Sequence, residues 1–403
     1  MVGAASLCVS APLCQNGQFS NGLKKIGDWR QINNLLSLNF FITSLQKGTF
    51  MRVALLANLK KNAPTWEGMS PDHWDDLDSE KTIESIMAAL RMRGHEVTFL
   101  EGNIELVDNL GKLKPDICFN ICEGHFGDAR EAQVPAILEM MRIPYTGSRV
   151  LTLALALDKP MTKRVLSYHD LPTPAFQVFE RMAEPLDPTL TFPLFVKPSR
   201  EGTGMGVSPE SVVHDEAQLR VQIQRVFDRY DQPALVERFI EGREVTMGIV
   251  GNLVLPAARR MPEDENAPRI FKGLHIFPAL EVDMGKYPVE EAGIYTSRIK
   301  VELAEDFHYL CPAPLPEALM EDLRWYTAAV FRVTGCLDVA RVDFRLDMHD
   351  NNKPYILEVN PLPGLNPGYS DLCIEATAAG WTYEGLINRI LDEAIGRYGL
   401  EQS

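Results

Sequence analysis

The segment 340–361 constrains the fold most, because apolar and polar residues alternate on both sides of a short polar turn. This pattern predicts a β-hairpin. With the turn at the middle of the segment, Asp343 lies opposite Glu358 and Arg341 lies opposite Asn360. Side chains alternate between the two faces of a strand, so these four polar groups share one face.

The shared polar face predicts a divalent metal site. Two facing carboxylates repel unless a cation lies between them, and hard oxygen ligands suit Mg²⁺. Such ions bridge nucleotide phosphates, and a neighbouring arginine stabilises developing negative charge. A solvated hairpin face carrying acidic residues and arginine is the alternative. The opposite face favours the metal site, because its apolar residues are predicted to be buried: Val342, Phe344, Leu357 and Val359.

A second candidate is the loop after an apolar strand that ends at Lys197. It contains Gly202, Gly204 and Gly206, which let backbone N–H groups approach phosphate oxygens, while Lys197 adds a positive charge. No Gly-Lys-Ser/Thr follows, so the loop is not a Walker A motif. Considered alone, this glycine-rich segment is explained at least equally well as an ordinary hairpin loop.

A third candidate is the segment 234–246. A strand ends near Glu237, a turn follows at Gly242, and Glu244 opens the next strand. Acceptors at such a hinge suit an adenine amino group and ribose hydroxyls. An exposed acidic turn is the simpler interpretation of this segment considered by itself.

The order of these segments resembles the ATP-grasp enzymes and, among them, the D-alanine–D-alanine ligases. The similarity covers residues 114–396. The motifs that carry it are Ile143-Pro-Tyr-Thr-Gly-Ser148, Leu157-Asp-Lys159, Lys197-Pro-Ser-Arg-Glu-Gly202, Glu237 with Glu244, Gly335-Cys336, Arg341-Val-Asp343 and Glu358-Val-Asn-Pro-Leu-Pro-Gly364. The combination is highly specific for that fold. It implies an α/β chain in which two α+β subdomains grip ATP, preceded by an open α/β Rossmann-like domain.

The resemblance also implies a set of nucleotide contacts. Lys159 and Lys197 match the lysines that contact the phosphates, and Glu237 matches the acceptor on the adenine side. Ile240 supplies a backbone contact to adenine, and Glu244 contacts the ribose. The phosphate loop adds Glu201, Gly202 and Gly204.

The metal and catalytic positions follow in the same way. Asp343, Glu358 and Asn360 match the family's Mg²⁺ ligands, with Mn²⁺ as an alternative ion and Glu358 bridging two ions. Arg341 and the backbone N–H of Gly364 match the donors that stabilise an oxyanion.

Several substrate positions depart from the ligases. Glu123 stands where they carry a histidine, and Thr203 replaces a serine of the phosphate loop; both are candidate catalytic residues. The lysine–tyrosine pair of the covering loop becomes Arg298-Ile299. The loop that holds the first amino acid differs throughout, which leaves Asp78 or Glu80 as candidates for an amine contact.

Four ranges are predicted from composition and periodicity, and the resemblance implies that the last two are ATP-grasp subdomains. Residues 1–50 lack periodicity and form a disordered or wrongly assigned extension, with Met51 as the true start. An N-terminal α/β domain occupies 51–150, where strands and helices alternate. A small ATP-grasp subdomain spans 151–243, and a large subdomain with the metal and catalytic residues spans 244–403.

Charge and cysteine content exclude several classes of protein. A net charge of −15 argues against binding nucleic acid or an anionic membrane surface. No apolar run reaches the roughly 18 residues that a bilayer span needs. The seven cysteines are odd in number, and Cys118 with Cys122 lacks the second pair that a zinc site requires. Reduced thiols and a cytoplasmic location follow.

Together these features predict an ATP- and Mg²⁺-dependent ligase that joins a carboxylate to an amine through an acyl-phosphate. D-alanine dimerisation is the nearest analogue, and ligation of another amino acid or peptide is an open alternative. So is a nucleotide-binding regulatory protein without ligase activity; a simple carboxylate kinase is less well supported. Segments 198–207 and 283–300 are expected to close as lids. The resemblance allows a homodimer.

Overall fold

The computed structural model describes residues 50–253, 273–283 and 308–402. The chain divides into the units 1–48 and 49–403, and the described elements belong to the second. The predicted extension 1–50 lies outside the described residues except for its last residue. Nearly all of the predicted lid 283–300, including Arg298-Ile299, also lies outside them.

The first sheet has three parallel strands in the order β2-β1-β3. The elements are β1 Arg52–Ala57, α1 Glu80–Met92, β2 Glu96–Glu101, α2 Leu106–Leu113, β3 Ile117–Asn120 and α3 Gln133–Met141. Ser79 begins α1, because its hydroxyl accepts a hydrogen bond from the Thr82 N–H at 3.2 Å. The strands agree with the periodicity, whereas α2 was not predicted, because only Leu106 and Leu110 of this short helix are buried.

Two helices follow, α4 Val150–Leu157 and α5 Lys159–Tyr168. Asp158 separates them, and its carboxylate caps α5 by accepting from the Met161 N–H at 2.9 Å. This cap places Lys159 at the first position of α5. The sequence pattern predicts a helix over 162–168 and none before it, so the structure begins this helix three residues earlier and adds α4.

The second sheet is antiparallel, in the order β4-β7-β5-β6. Its strands are β4 Phe176–Phe179, β5 Leu194–Pro198, β6 Val212–Val213 and β7 Ala234–Arg238, and α6 Glu216–Tyr230 covers it. Leu219, Ile223 and Val226 of α6 are buried in the core of this sheet at helical spacing.

The third sheet has the strand order β11-β10-β8-β12-β13, with β9 paired to β8. Its strands are β8 Gly242–Gly251, β9 Leu274–Ile276, β10 Leu280–Val282, β11 Tyr309–Leu310, β12 Val339–Asp347 and β13 Lys353–Asn360. The helices of this part are α7 Glu317–Thr334, α8 Asp371–Ala378 and α9 Tyr383–Tyr398. None of the helices in the described ranges is long and apolar enough to cross a membrane.

The hairpin β12–β13 has the predicted register next to the site. Arg341 pairs with Asn360 and Asp343 pairs with Glu358. Beyond Asp343 a β-bulge shifts the register, so that Phe344 pairs with Ile356. The predicted burial of Leu357 is therefore wrong. Leu357 is the extra residue at the bulge, it is half-buried, and it lines a cavity together with Glu358.

The first sheet and the last helices share one hydrophobic core. Leu55 and Ile86 belong to it together with Ile390 and Leu391 of α9. Asn388 of α9 also donates to the Ala89 carbonyl at 2.8 Å. The first and second sheets fall within the ranges 51–150 and 151–243, whereas the third sheet begins at Gly242, just before the range 244–403. The other face of the first sheet has a second core, and this one is formed entirely by residues of the range 51–150. The domain boundaries themselves stay predictions.

Candidate active site

Two adjoining cavities lie between the three sheets, with volumes of about 310 Å³ and 110 Å³. Lys159, Glu201 and Glu358 line both of them. We call the larger one the substrate cavity and the smaller one the nucleotide cavity. The substrate cavity also contains the candidate residues Glu123, Gly202, Thr203, Arg341, Asn360 and Gly364. The nucleotide cavity contains Lys197, Gly204, Glu237, Ile240, Glu244 and Asp343.

The polar face of the hairpin forms a connected group around Asp343. Arg341 donates two hydrogen bonds to the Asp343 carboxylate, both at 2.9 Å. Asn360 donates its amide N–H to the same carboxylate at 2.9 Å, and the Thr246 hydroxyl donates to it at 2.6 Å. Asn360 thus keeps its amide oxygen for another ligand. Two carboxylates and an amide oxygen on paired strands form a donor set that fits Mg²⁺.

No group of three or more His, Cys, Asp or Glu side chains that could hold a metal occurs in the described ranges. The hairpin site differs from such groups, because its third oxygen comes from an amide. The described cysteines are all free, and Cys118 and Cys122 are fully buried. Burial raises the pKa of both thiols. These properties fit structural thiols.

Two predicted hydrogen-bond donors, the Arg341 guanidinium and the Gly364 N–H, belong to residues that line the substrate cavity. The Arg341 guanidinium lies 3.6 Å from Asp371 in addition to its pair with Asp343. The Gly364 N–H forms no hydrogen bond with any described residue, so it can donate to a ligand. A Cβ at Gly364 would lie 2.8 Å from the Ser370 hydroxyl, which explains the glycine.

The nucleotide cavity has a buried charge cluster on its floor. Glu237 forms ion pairs with Lys197, at 2.8 Å, and with Lys163. Burial alone would raise the pKa of Glu237, but the two lysines outweigh burial and lower it. Lys163 is fully buried, and burial lowers its pKa to about 8. Sequence reasoning missed Lys163, although it follows Lys159 by four residues and therefore lies on the same side of α5.

Arg345 is a second residue that sequence reasoning missed. It donates to the Ile240 carbonyl at 3.1 Å and pairs with Glu244 at 2.8 Å, so it holds both residues assigned to adenine and ribose. Arg345 continues the alternation of Arg341 and Asp343 along β12. Extending the pattern by two residues would have found it.

The glycine-rich loop is held against the loop that follows β1. The Gly206 N–H donates to Asp72 at 2.9 Å, and the Tyr230 hydroxyl donates to the same carboxylate at 2.9 Å. Gly206 has a φ of +73°, and a Cβ there would lie 2.6 Å from the Pro198 ring. Thr203 also has a positive φ, +51°, which a β-branched residue adopts only under strain.

One wall of the substrate cavity is acidic. Burial raises the pKa of Asp78 and of Glu131 to about 7 each. Burial and the charges of Glu131 and Asp76 raise the pKa of Glu123 well above its ordinary value. Glu80, the alternative to Asp78 for an amine contact, does not belong to this wall: it is exposed and pairs with Lys61. Glu131 was not predicted, because it lies in a single turn of 3₁₀ helix, Arg130–Ala132, which is too short to show a periodicity.

Comparisons with known proteins agree with this architecture. The sequence profile of the family "D-ala D-ala ligase C-terminus" matches residues 165–266 and 279–392. The chain is 35% identical over 332 residues to the D-alanine–D-alanine ligase of Syntrophotalea carbinolica, which covers 82% of this chain and 95% of that protein. It is 30% identical over 334 residues to the enzyme of the same name from Pelotomaculum thermopropionicum, covering 80% and 94% of the two chains.

A solved structure has the same fold. The D-alanine–D-alanine ligase of Bacillus anthracis complexed with ATP superposes with a TM-score of 0.63. The match covers 87% of this chain and 99% of that one, at 22% identity. The expected ATP-grasp fold is thereby confirmed.

Proposed function

The chain belongs to the D-alanine–D-alanine ligase family and is an ATP-dependent ligase, and we propose that it forms a peptide bond between two small amino acids or peptides. The carboxylate of one substrate attacks the γ-phosphorus of ATP, and ADP leaves. The amine of the other substrate then attacks the acyl carbon, phosphate leaves, and the amine loses a proton. One observation carries this proposal: Lys159, Glu201 and Glu358 line both cavities, where a γ-phosphate would meet a carboxylate.

The residues of the nucleotide cavity supply charge and position. Lys159 and Lys197 pair with Glu358 and Glu237 at 3.1 Å and 2.8 Å, which holds both ammonium groups at the cavity. Phosphate oxygens are stronger partners for these lysines in a water-poor site. Arg345 fixes Ile240 and Glu244 for the adenosine, and the backbone of the loop at Gly202 and Gly204 faces the phosphates.

The hairpin would hold Mg²⁺, or Mn²⁺ in its place, through Asp343, Glu358 and Asn360. The ion neutralises phosphate charge and polarises the γ-phosphoryl group when it is bound. Arg341 is held by Asp343, so its remaining N–H groups point to a fixed place. Together with the Gly364 N–H it would stabilise the oxyanion of the tetrahedral state. Thr203 and Glu123 would contact the substrates from the opposite side of the cavity.

D-alanine is the first substrate to test, because the relatives are named for it. The changed positions, Glu123 above all, make another amino acid or peptide the main alternative. The regulatory alternative is weaker, since the charged residues proposed for the chemistry line the two cavities. A cytoplasmic location and a homodimer complete the proposal.

The test is release of ADP and phosphate by the purified protein with ATP, Mg²⁺ and a panel of D- and L-amino acids. We expect release that depends on particular amino acids, together with a dipeptide product. Glu358→Gln should lower kcat at least a hundredfold, which corresponds to about 2.7 kcal/mol of transition-state stabilisation. Glu317→Gln, on the exposed start of α7, should not change it. Tight ATP binding with no release across the panel would select the regulatory alternative.

A further inference from the structure

The acidic wall of the substrate cavity is built from two segments held together by aromatic rings. The Trp74 ring contacts the His125 and Phe126 rings, with centroids 5.3 Å and 6.1 Å apart. Trp74 is buried and donates from its indole N–H to the Pro64 carbonyl at 2.8 Å. The carboxylates that follow these rings in the chain, Asp78 and Glu131, therefore have fixed positions.

The cations near this wall already have partners. Lys60 pairs with Asp75 at 2.7 Å. Arg130 pairs with Asp76 at 2.9 Å and with Glu201 at 3.2 Å, and it donates to a backbone carbonyl at 2.9 Å. The positive charges of Lys60 and Arg130 are thus already neutralised by Asp75, Asp76 and Glu201.

Three further carboxylates line the same cavity: Asp78, Glu123 and Glu131. None of their side chains forms a hydrogen bond or an ion pair within the ranges that the structure describes. The Glu131 residue is only 9% exposed, yet it faces the cavity. A buried carboxylate without a partner is costly, and such groups in a cleft indicate a ligand of opposite charge.

We propose that Asp78, Glu123 and Glu131 bind a second cationic group of the substrate, so that the preferred amino acid is a basic one with an ammonium group on its side chain. The inference rests on the proposed ligase function and names its substrate class. An amino acid with a neutral side chain has one ammonium group, and a single carboxylate is enough to form an ion pair with it. Three carboxylates without partners match a substrate with two ammonium groups better, and they repel an acidic side chain.

A binding measurement tests this without any turnover. Calorimetry would compare lysine with norleucine, and 2,4-diaminobutyrate with 2-aminobutyrate, in D and L forms, with Mg²⁺ and a non-hydrolysable ATP analogue. Each pair differs by one ammonium group. We expect at least tenfold tighter binding of one basic member. Equal or tighter binding of the neutral member in every pair would overturn the inference.

Variants assign the effect to the wall. Glu131→Gln should lower the ratio of basic to neutral affinity at least tenfold, and Asp78→Asn should lower it independently. Glu67 is an exposed carboxylate on the loop that also carries Asp78. Glu67→Gln should therefore leave the ratio of basic to neutral affinity unchanged. If both wall variants kept the wild-type ratio of basic to neutral affinity, the assignment to Glu131 and Asp78 would be contradicted. If the wild type itself had a ratio near one, the inference would be overturned whatever the variants show.

ADP release with the same amino acids separates the two claims. In one outcome, ADP is released faster with neutral amino acids and the ratio of basic to neutral affinity is near one. This outcome would leave the ligase function intact but would overturn the inference that the preferred substrate is basic. A high affinity ratio without release from any substrate would support the basic ligand and remove the proposed ligase reaction.

Discussion

Glu237 is buried between two lysines, Lys163 and Lys197. Of these two, Lys163 does not line either cavity, so it is not expected to contact a ligand. Replacing Lys163 with methionine keeps the volume but leaves Glu237 with Lys197 alone. Removing one partner of a buried ion pair costs about 3–5 kcal/mol, and the second lysine should reduce this to about 1–3 kcal/mol of unfolding free energy. Urea unfolding checks the value. Lys81→Met, at an exposed position of α1, is the control and should change little; equal stability of both variants would contradict the argument.

Glu131 predicts a pH dependence of stability in the enzyme without substrate. Burial raises its pKa from the ordinary 4.5 to about 7, so the folded chain binds more protons than the unfolded chain between these values. This contribution is therefore full below about pH 4.5 and is lost as the pH rises through 7. Its upper limit is about 3 kcal/mol. Arg130, Asp76, Lys159 and Glu358 are the charges that act on it.

Glu131→Gln should consequently be more stable than the wild type at pH 7.5 and should lose this advantage toward pH 4.5. Unfolding midpoints measured across that range check the trend. Glu67→Gln provides the exposed reference. A constant difference between the Glu131 variant and the wild type would show that titration of this group is not the cause.

The charged residues of the site could be predicted from the sequence where they belong to a strand or helix with a regular pattern. Arg341, Asp343, Glu358 and Asn360 follow from strand alternation and one assumed turn. Lys163 and Arg345 obey the same periodicities and were overlooked. Arg130 and Glu131 follow no period in the sequence, because their 3₁₀ helix is only three residues long and does not repeat.

At the scale of elements, the glycine-rich loop gives a sharp steric prediction. Gly206→Ala should destabilise the chain by about 1–3 kcal/mol and raise the KM for ATP, because its positive φ and the nearby Pro198 ring both oppose a Cβ. Gly111→Ala in α2 is a matched control. Nothing lies within 4 Å of its Cβ position, so the helix should gain about 0.8–1.0 kcal/mol. Opposite signs in thermal unfolding are expected; equal signs would contradict the loop geometry.

Element types were predictable from periodicity, and element details were less so. The sequence pattern predicts strands at 193–197 and 234–238, which agree with β5 and β7. It also predicts helices near 215–229, 316–334 and 382–397, which agree with α6, α7 and α9. The bulge in the hairpin could not be predicted, because the alternation of apolar and polar residues does not show where one strand carries an extra residue. That shift places Leu357 beside Glu358 at the nucleotide cavity.

At the scale of the whole molecule, local periodicity cannot show which faces pack together. The range 51–150 reads as an independent α/β domain, yet only one face of its sheet has a core formed within that range. The core on the other face includes Leu391 and Ile390 of α9. A helix about 300 residues away in the chain thus completes the first sheet, as the contact between Asn388 and Ala89 also shows, with a sequence separation of 299. The hydrophobic core of the second sheet, by contrast, is formed entirely by residues of the range 151–243.

This arrangement predicts which regions unfold together. Leu391→Ala removes a fully buried side chain and should cost about 2–5 kcal/mol. Because β1 and α9 share one core, hydrogen exchange of peptides 52–57 and 383–398 should accelerate in parallel. Leu219→Ala, fully buried in the core of the second sheet, should instead accelerate 194–198 and 234–238. If Leu391→Ala left 52–57 unchanged, the first sheet would be stable without α9, and residues 51–150 would be the separate domain that their sequence suggests.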